Sequence, residues 1–272
     1  MMTTGSERAA SWSLITVTYN SAETLRRNWT GSDLPEGSEW IVVDNGSTDD
    51  SAGVAESLGA RVIRSSENRG FSAANNLGYS HAGGDFIGYI NPDVRVDAAG
   101  LARLAEVAAA SGGLVAPQLL NPDGSEQPNG RGYPLLTAKI RNRLRGGDPH
   151  YLLRSEDGSP RAVCWAMGAA ILGSREAVDR IGGWDPTFFL YYEDKDICLR
   201  SWRADAPVLL VPDARWVHEW ARETTGFRWA PWRREIASMA RFYSRYPEFL
   251  TTRARSRRAH PDIDAAVFGA RV

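Results

Sequence analysis

Cysteine is scarce in this chain of 272 residues: only Cys164 and Cys198 are present, far apart and in no CxxC pair. That excludes a zinc ribbon and a disulfide scaffold, and the two read as buried thiols in a reducing compartment. Long apolar runs are missing as well. A run such as Trp165 to Gly173 falls well short of the ~18 residues needed to span a bilayer. The polar N-terminus has no charged region followed by an apolar core, so no signal peptide is expected and the chain reads as cytoplasmic. A strong charge of either sign is also lacking. The formal net charge of -1 argues against a chain built as a whole to bind nucleic acid or another polyanion, so any basic patch must be local.

What is present is an ordinary globular composition, 43% hydrophobic and 24% charged, which supports a sizeable core. Residues 1 to 11 read as a loose polar tail. Short β-branched runs at Leu14 to Thr18, Trp40 to Val43, Arg61 to Arg64 and Phe86 to Ile90 read as strands. Between them, Ser21 to Trp29, Asp50 to Leu58 and Phe71 to His81 read as helices, and Asp97 caps a further one carrying Leu101, Leu104 and Val107 on one face. Strand and helix alternate over the first 115 residues, which implies an α/β fold with a Rossmann-like, mostly parallel sheet flanked by helices.

Residues 121 to 160 change character, rich in Gly, Pro, Asn, Asp and Arg, and read as a long surface excursion with one short basic helix around Ala138 to Leu144. Ala169 to Leu172 then reads as a strand, Ser174 to Arg180 as a capped helix, Glu193 to Arg203 as a helix and Val208 to Val211 as a strand. No internal repeat is present.

In parallel sheets ligands bind beyond the carboxyl ends of the strands. Three polar clusters fall there: Tyr19-Asn20, Asp44-Asn45 and Asn91-Pro92-Asp93. A carboxylate at a strand end can hold a hard dication, which takes its other ligands from phosphates and water; Asn-Pro-Asp is also a common turn. Asp44 can accept a hydrogen bond from a nucleobase imino N–H, or serve only as a turn and cap residue. Glu193-Asp194-Lys195-Asp196 places three acids in four residues. They invite a catalytic role, although acids at a helix start also complement its dipole. The preceding aromatic run from Trp184 to Tyr192 can pack this helix start against a sugar site. His218 follows a strand and can complete a metal shell.

Taken in order, these segments resemble the family 2 glycosyltransferases, and within them the rhamnosyltransferase-like group. The resemblance covers roughly residues 13 to 222. It rests on Val17-Thr18-Tyr19-Asn20-Ser21, on Val42-Val43-Asp44-Asn45-Gly46-Ser47-Thr48-Asp49, on Asn68-Arg69-Gly70-Phe71-Ser72-Ala73-Ala74-Asn75-Asn76, on Asn91-Pro92-Asp93, and on Gly182-Gly183-Trp184-Asp185 with Phe188-Phe189-Leu190-Tyr191-Tyr192-Glu193-Asp194.

That resemblance implies a GT-A fold over residues 12–222. A nucleotide-binding half would span about 12–115 and an acceptor-binding half about 116–222, with a basic, aromatic C-terminal helical extension at 223–272. It implies an inverting, metal-assisted transfer of a sugar from a nucleotide-sugar donor to a hydroxyl of a glycan or lipid-linked glycan. The favoured donor is a dTDP-deoxysugar such as dTDP-rhamnose, with UDP-sugars next. Asp44 would read the base, and Thr18, Tyr19, Asn20, Asn45, Ser47, Asn68, Gly70, Phe71, Asn75, Asn76 and Asn91 would line the nucleotide-sugar site. Asp93 stands for the last acid of the family's DXD motif. Its first position is Asn91 here, so Mg2+ or Mn2+ would lean on Asp93 and His218. Asp194 is favoured over Glu193 as the base, with Trp184, Asp185 and Tyr192 toward the acceptor.

Two rival functions fit the sequence less well. A nucleotidyltransferase would carry a Gly-rich basic loop after the first strand, where this chain has Tyr19-Asn20-Ser21. A non-catalytic nucleotide-sugar binder would have no need for Asp44, Asp93 and Asp194 together. Finally, the segment from Phe227 to Arg258 is rich in arginine, with Trp229, Trp232, Phe242, Tyr243, Tyr246 and Phe249 interleaved. Such a segment can lie on the anionic inner face of a membrane, near a lipid-linked acceptor. Alternatively its aromatics pack on the main domain and its arginines form a solvated face.

Overall fold

Four apolar runs form parallel strands in the computed structural model, which describes residues 11–138, 141, 150–219 and 229–269. They are β1 (Trp12–Thr18), β2 (Glu39–Asp44), β3 (Arg61–Arg64) and β4 (Phe86–Ile90), laid out in the order β3-β2-β1-β4. The intervening helices α1 (Ala22–Trp29), α2 (Ser51–Ser57), α3 (Phe71–Tyr79) and α4 (Ala98–Ser111) lie inside the expected spans. Asp97 caps α4 by accepting from the Gly100 N–H at 2.7 Å. Alternation along β1 sends Leu14 into the core on one face and Ile15 into the core on the other.

Past α4 the sheet becomes mixed. β5 (Leu114–Leu120) was not read from the sequence, because Pro117 interrupts its apolar run and proline is unusual in a central strand. The proline is accommodated where the partner strand bulges: pairing passes from Val211 opposite Pro117 to Arg215 opposite Gln118. Four two-residue strands follow, β6 (Gly130–Arg131), β7 (Leu152–Leu153), β8 (Arg161–Ala162) and β9 (Trp165–Ala166). β10 (Ala170–Ser174) runs antiparallel between β4 and β5, and β11 (Val208–Val217) runs parallel to β5. The eight-stranded order is β3-β2-β1-β4-β10-β5-β11-β8, with β7-β6-β9 as a separate small sheet.

The described part of the segment 121 to 160 is not wholly the surface excursion expected from its composition. Gln127, Asn129, Tyr133, Tyr151 and Leu153 are buried. The polar members are buried because they satisfy one another: Gln118 Nε2 donates to Asn129 Oδ1 at 3.1 Å and to the Gln127 carbonyl at 2.8 Å. The helix expected around Ala138 to Leu144 lies mostly outside the described residues.

The remaining helices are α5 (Arg175–Ile181), α6 (Glu193–Arg203), α7 (Trp229–Arg245), α8 (Arg253–Ala259) and α9 (Pro261–Phe268). Phe242, Tyr246 and Phe249 are fully buried and share one core cluster with Ile15 and Tyr89 of the sheet. The described part of the C-terminal segment therefore packs into this core cluster through its aromatics. The expected boundary at 222 falls outside the described residues. Among the described residues, no helix is long and apolar enough to cross a membrane.

Candidate active site at the strand ends

Thr18 and Asp44 face each other across the last register of β1 and β2, and the Asn45 N–H donates to the Thr18 carbonyl at 2.9 Å. The turns beyond them interlock. Asn20 takes a positive φ of 52°, and its Oδ1 accepts from the Thr48 N–H at 2.8 Å. Ser47 Oγ accepts from the Asn20 N–H at 2.9 Å, and the Ser47 N–H donates to Asp44 Oδ1 at 3.2 Å. Asp44 is buried, whereas Tyr19 stays 49% exposed, an aromatic face at the rim beside a carboxylate.

A second set joins this rim to the other half of the sheet. Asn45 Oδ1 accepts from the Arg69 N–H at 2.9 Å, Asn45 Nδ2 donates to Asn68 Oδ1 at 3.1 Å, and Asn68 Oδ1 accepts from the Gly70 N–H at 3.0 Å. Gly70 has φ of 85°, and a Cβ there would sit 2.7 Å from the Phe189 carbonyl oxygen, so only glycine fits. Phe71 follows, its N–H donating to that same carbonyl at 2.7 Å. Asn75 Nδ2 donates back to the Phe71 carbonyl at 3.1 Å. Asn76 grips the backbone of Trp184 with both ends of its amide, at 2.7 and 3.0 Å. The side chains of Asn45, Asn68, Asn75 and Asn76 thus fix loops and the helix start in place.

The Asn91-Pro92-Asp93 turn leaves the end of β4, with the Asn91 N–H donating to the Ala169 carbonyl at 2.9 Å. Asp93 Oδ1 is buried without a hydrogen-bond partner among the described residues. Its Oδ2 lies 3.5 Å from His218 Nε2. His218 is brought there by β11, which runs on to a bridge between Val94 and His218, and the Glu219 N–H donates to the Asp93 carbonyl at 2.9 Å. Among the described residues, no group of three or more His, Cys, Asp and Glu side chains could hold an ion. One carboxylate with an orphaned buried oxygen, faced by one imidazole, does fit a divalent cation that draws its other ligands from phosphate oxygens and water.

Asp194 stands in the first turn of α6. Its Oδ1 accepts from the Lys195 N–H at 2.8 Å and from Lys195 Nζ at 3.2 Å, and no described residue donates to Oδ2. The backbone before it is unusual: Tyr191 and Tyr192 both have φ of 70°, a left-handed conformation disfavoured for bulky residues. A Cβ built on Gly168 would lie 3.3 Å from the Asp194 Cβ. The Gly168-Ala169 segment therefore lies close beside Asp194, and its Ala169 carbonyl holds the start of the Asn91 turn. Glu193, beside Asp194, is buried with Oε2 unpartnered among the described residues. Burial, and then the Asp194 carboxylate, push its carboxyl up to about 8.

The residues expected toward the acceptor lie deeper. Trp184 is 1% exposed, edge-on to both Phe71 and Tyr89. Tyr192 is buried against Phe242 and Tyr243. Asp185 is ion-paired with Arg245 of α7 at 2.6 Å. Burial would raise the Asp185 carboxyl, but hydrogen bonds from Thr187 and Arg245 outweigh it and hold it below the usual carboxylate range. Two neighbours of the site were missed from sequence. Lys195 sits between the acids of the first turn and reads there as a surface charge. Gln127 lies in the segment read as an excursion, where no periodicity marks it.

The sequence profile described as glycosyl transferase family 2 matches residues 13–171 of the 272. An N-acetylglucosaminyl-diphospho-decaprenol L-rhamnosyltransferase of Mycobacterium tuberculosis is 29% identical over 214 residues, 68% of this chain and 67% of the relative. The low-salt glycan biosynthesis hexosyltransferase Agl10 of Haloferax volcanii is 25% identical over 199 residues, 70% of this chain and 61% of that one. Among solved structures, GalNAc-T7 with UDP, GalNAc and Mn2+ aligns with a TM-score of 0.66 at 18% identity, over 97% of this chain and 56% of its own. The mannosyltransferase PcManGT of Pyrobaculum calidifontis, in complex with GDP-Man and Mn2+, aligns at 0.62 and 17% identity, over 95% and 69%. These two likenesses give the fold, the GT-A architecture that the sheet order describes. With the ordered strand-end residues and a matching profile over more than half its length, the chain belongs to glycosyl transferase family 2 and is a glycosyltransferase.

Proposed function

We propose that this enzyme transfers a deoxysugar, rhamnose first among them, from a dTDP-sugar to a hydroxyl of a lipid-linked glycan, with inversion and with help from a divalent cation. UDP-sugars are the next donor class. The observation that carries the reading is the Gly168-Ala169 segment, which lies close beside Asp194 and whose Ala169 carbonyl accepts from Asn91, the residue that opens the turn bearing Asp93. In this reading a base and a group that holds the diphosphate would stand near one strand end. The names of the mycobacterial and haloarchaeal relatives support the sugar and acceptor classes.

In this reading Tyr19 stacks on the base and Asp44 accepts from its imino N–H, while the Asn45 and Asn68 network holds the rim rigid. Asp93 and His218 would hold Mg2+ or Mn2+, which when bound would supply positive charge for the leaving diphosphate. That diphosphate requires no protonation, so one base suffices. Asp194 takes the proton of the acceptor hydroxyl through the Oδ2 oxygen that Lys195 leaves open, and attack comes from the face opposite the leaving group. A glycosidase would need a carboxylic acid placed to protonate its leaving oxygen. Glu193, buried beside the base, acts by packing and by staying protonated.

The half boundaries at about 115 and 222 belong to the same proposal, as does peripheral contact with an anionic inner membrane face. Exposed Arg233, Arg255 and Arg258 on α7 and α8 suit that contact. Co-sedimentation with phosphatidylglycerol vesicles that disappears in moderate salt would support it. Equal binding to neutral vesicles, or none to either, would remove it.

The test of the main reading is calorimetric titration with dTDP, UDP and GDP, each with and without Mn2+ or Mg2+. One nucleotide binding in the micromolar range, tightened by metal, is expected. No binding of any nucleotide by folded protein would sink the donor site.

A further inference from the structure

The Gln127 carboxamide is buried behind His218. Its Nε2 donates to the His218 carbonyl at 2.8 Å and to the Leu120 carbonyl at 3.4 Å, with Asn121 Oδ1 at 3.0 Å. Backbone carbonyls only accept, so the amide nitrogen must point this way; a flipped amide would set oxygen against oxygen. Gln127 Oε1 is thereby turned to His218 Nδ1, at 2.7 Å. An amide oxygen cannot donate, so the proton of this hydrogen bond belongs to Nδ1. In the neutral ring the lone pair then sits on Nε2, the nitrogen that faces Asp93 Oδ2 at 3.5 Å.

The backbone of the glutamine is itself held at both its N–H and its carbonyl. Its N–H donates to the Leu119 carbonyl at 2.8 Å, and its carbonyl accepts from Gln118 Nε2 at 2.8 Å. The ring is held too, since the His218 N–H donates to the Leu120 carbonyl at 2.9 Å. Two electron-pair donors, a carboxylate oxygen and an imine nitrogen, thus face one another at 3.5 Å.

We propose that Gln127 is a positioning residue that locks His218 in the Nδ1–H tautomer, so that Nε2 and Asp93 present two preset ligand atoms to a divalent cation. The proposal rests on the metal-assisted reading above and adds the residue that makes His218 a ligand. A side chain that only filled the core would leave the tautomer and the metal response unchanged.

Long-range 15N–1H correlation spectra of the metal-free wild type, above neutral pH, read the tautomers of the four histidines directly. His218 is expected to carry its proton on Nδ1; a proton on Nε2 overturns the proposal without any variant. Calorimetric binding of dTDP and UDP, with and without Mn2+, is then compared between wild type and Gln127→Met. The Mn2+-dependent gain in nucleotide affinity should fall by about 10- to 100-fold in the variant, with metal-free nucleotide affinity unchanged. A full gain in Gln127→Met overturns the proposal alone. No gain in the wild type overturns the metal-assisted reading and this proposal with it. Should the variant not fold, the wild-type tautomer decides.

Discussion

Lys195 Nζ lies 3.2 Å from Asp194 Oδ1, with its ammonium 3.9 Å from the centre of the Trp165 ring and 4.6 Å from that of Tyr192. Two aromatic faces and one carboxylate thus confine a cation with little solvent around it. The contact leaves the second oxygen of Asp194 as the one free to take a proton. Lys195→Met keeps the aliphatic stem against the rings and removes the charge. We expect kcat to fall about tenfold, roughly 1.4 kcal/mol of positioning, with nucleotide affinity unchanged. An unaltered kcat would show that the lysine does not orient the base.

Asp194→Asn keeps the shape of the first turn of α6 and removes the basic oxygen. Transfer should drop by about 10²- to 10⁴-fold, the usual worth of a positioned base. Calorimetric dTDP or UDP binding should match the wild type, since the nucleotide rim is built from β1, β2 and α3. A variant that turns over normally would move the base elsewhere.

Glu193 offers a stability test with a definite sign. Burial, and then Asp194, raise its folded pKa from 4.5 to about 8. A raised folded pKa means the native state binds the proton more tightly. Its stabilising contribution is complete below pH 4.5 and is lost as pH rises through about 8. The slope is at most about 1.4 kcal/mol per pH unit. Glu193→Gln cannot lose a proton, so the difference in Tm between variant and wild type should move in the variant's favour from pH 5 to pH 9. A constant difference across that range would show that Glu193 does not titrate with folding.

The strand-end cluster was legible because each apolar run ends in a polar turn, and that pairing of patterns places Thr18, Asp44 and Asn91 at one sheet edge. The first acids of α6 were legible because three carboxylates fall in four residues directly after an aromatic run. What escaped was set by contacts distant in sequence. Gln118, Gln127 and Asn129 look like loop residues until they are seen satisfying one another. β5 is hidden by Pro117, whose fit depends on a bulge in a strand nearly a hundred positions later. Asp185 reads as a site residue from its aromatic surroundings, yet its ion pair with Arg245 comes from a helix that composition alone could place on a membrane.

A cation site with one carboxylate and one imidazole should be incomplete without the donor's phosphates. Mn2+ alone is expected to bind weakly, and to bind well once dTDP or UDP is present, by mutual enhancement of equal size in both directions. Asp93→Asn should remove that enhancement and leave metal-free nucleotide binding intact. Equal Mn2+ affinity with and without nucleotide would point to a site built from protein ligands alone.

The helix that carries Asp194 is anchored through Asp196, which has no exposed surface. It accepts from Arg200 Nε at 2.8 Å on its own helix, from Arg245 Nη1 at 2.7 Å and from the Tyr246 hydroxyl at 2.9 Å. Arg200 reaches on to the carbonyls of Ile181 and Gly183, at 2.6 and 2.7 Å, and so ties α6 to the turn before Trp184. Removing the carboxylate takes one acceptor each from Arg200 and Arg245 and leaves the buried Tyr246 hydroxyl without its own. Losing a buried hydrogen-bond acceptor costs about 1–3 kcal/mol, so Asp196→Ala should lower the urea midpoint by a corresponding amount. Because Arg245 also pairs with Asp185, the loss should be felt in the loop that leads into α6. Limited proteolysis should therefore cut between residues 185 and 192 in Asp196→Ala sooner than in wild type. Unchanged cleavage there, with the stability loss present, would confine the role of Asp196 to global packing and separate it from the placement of Asp194.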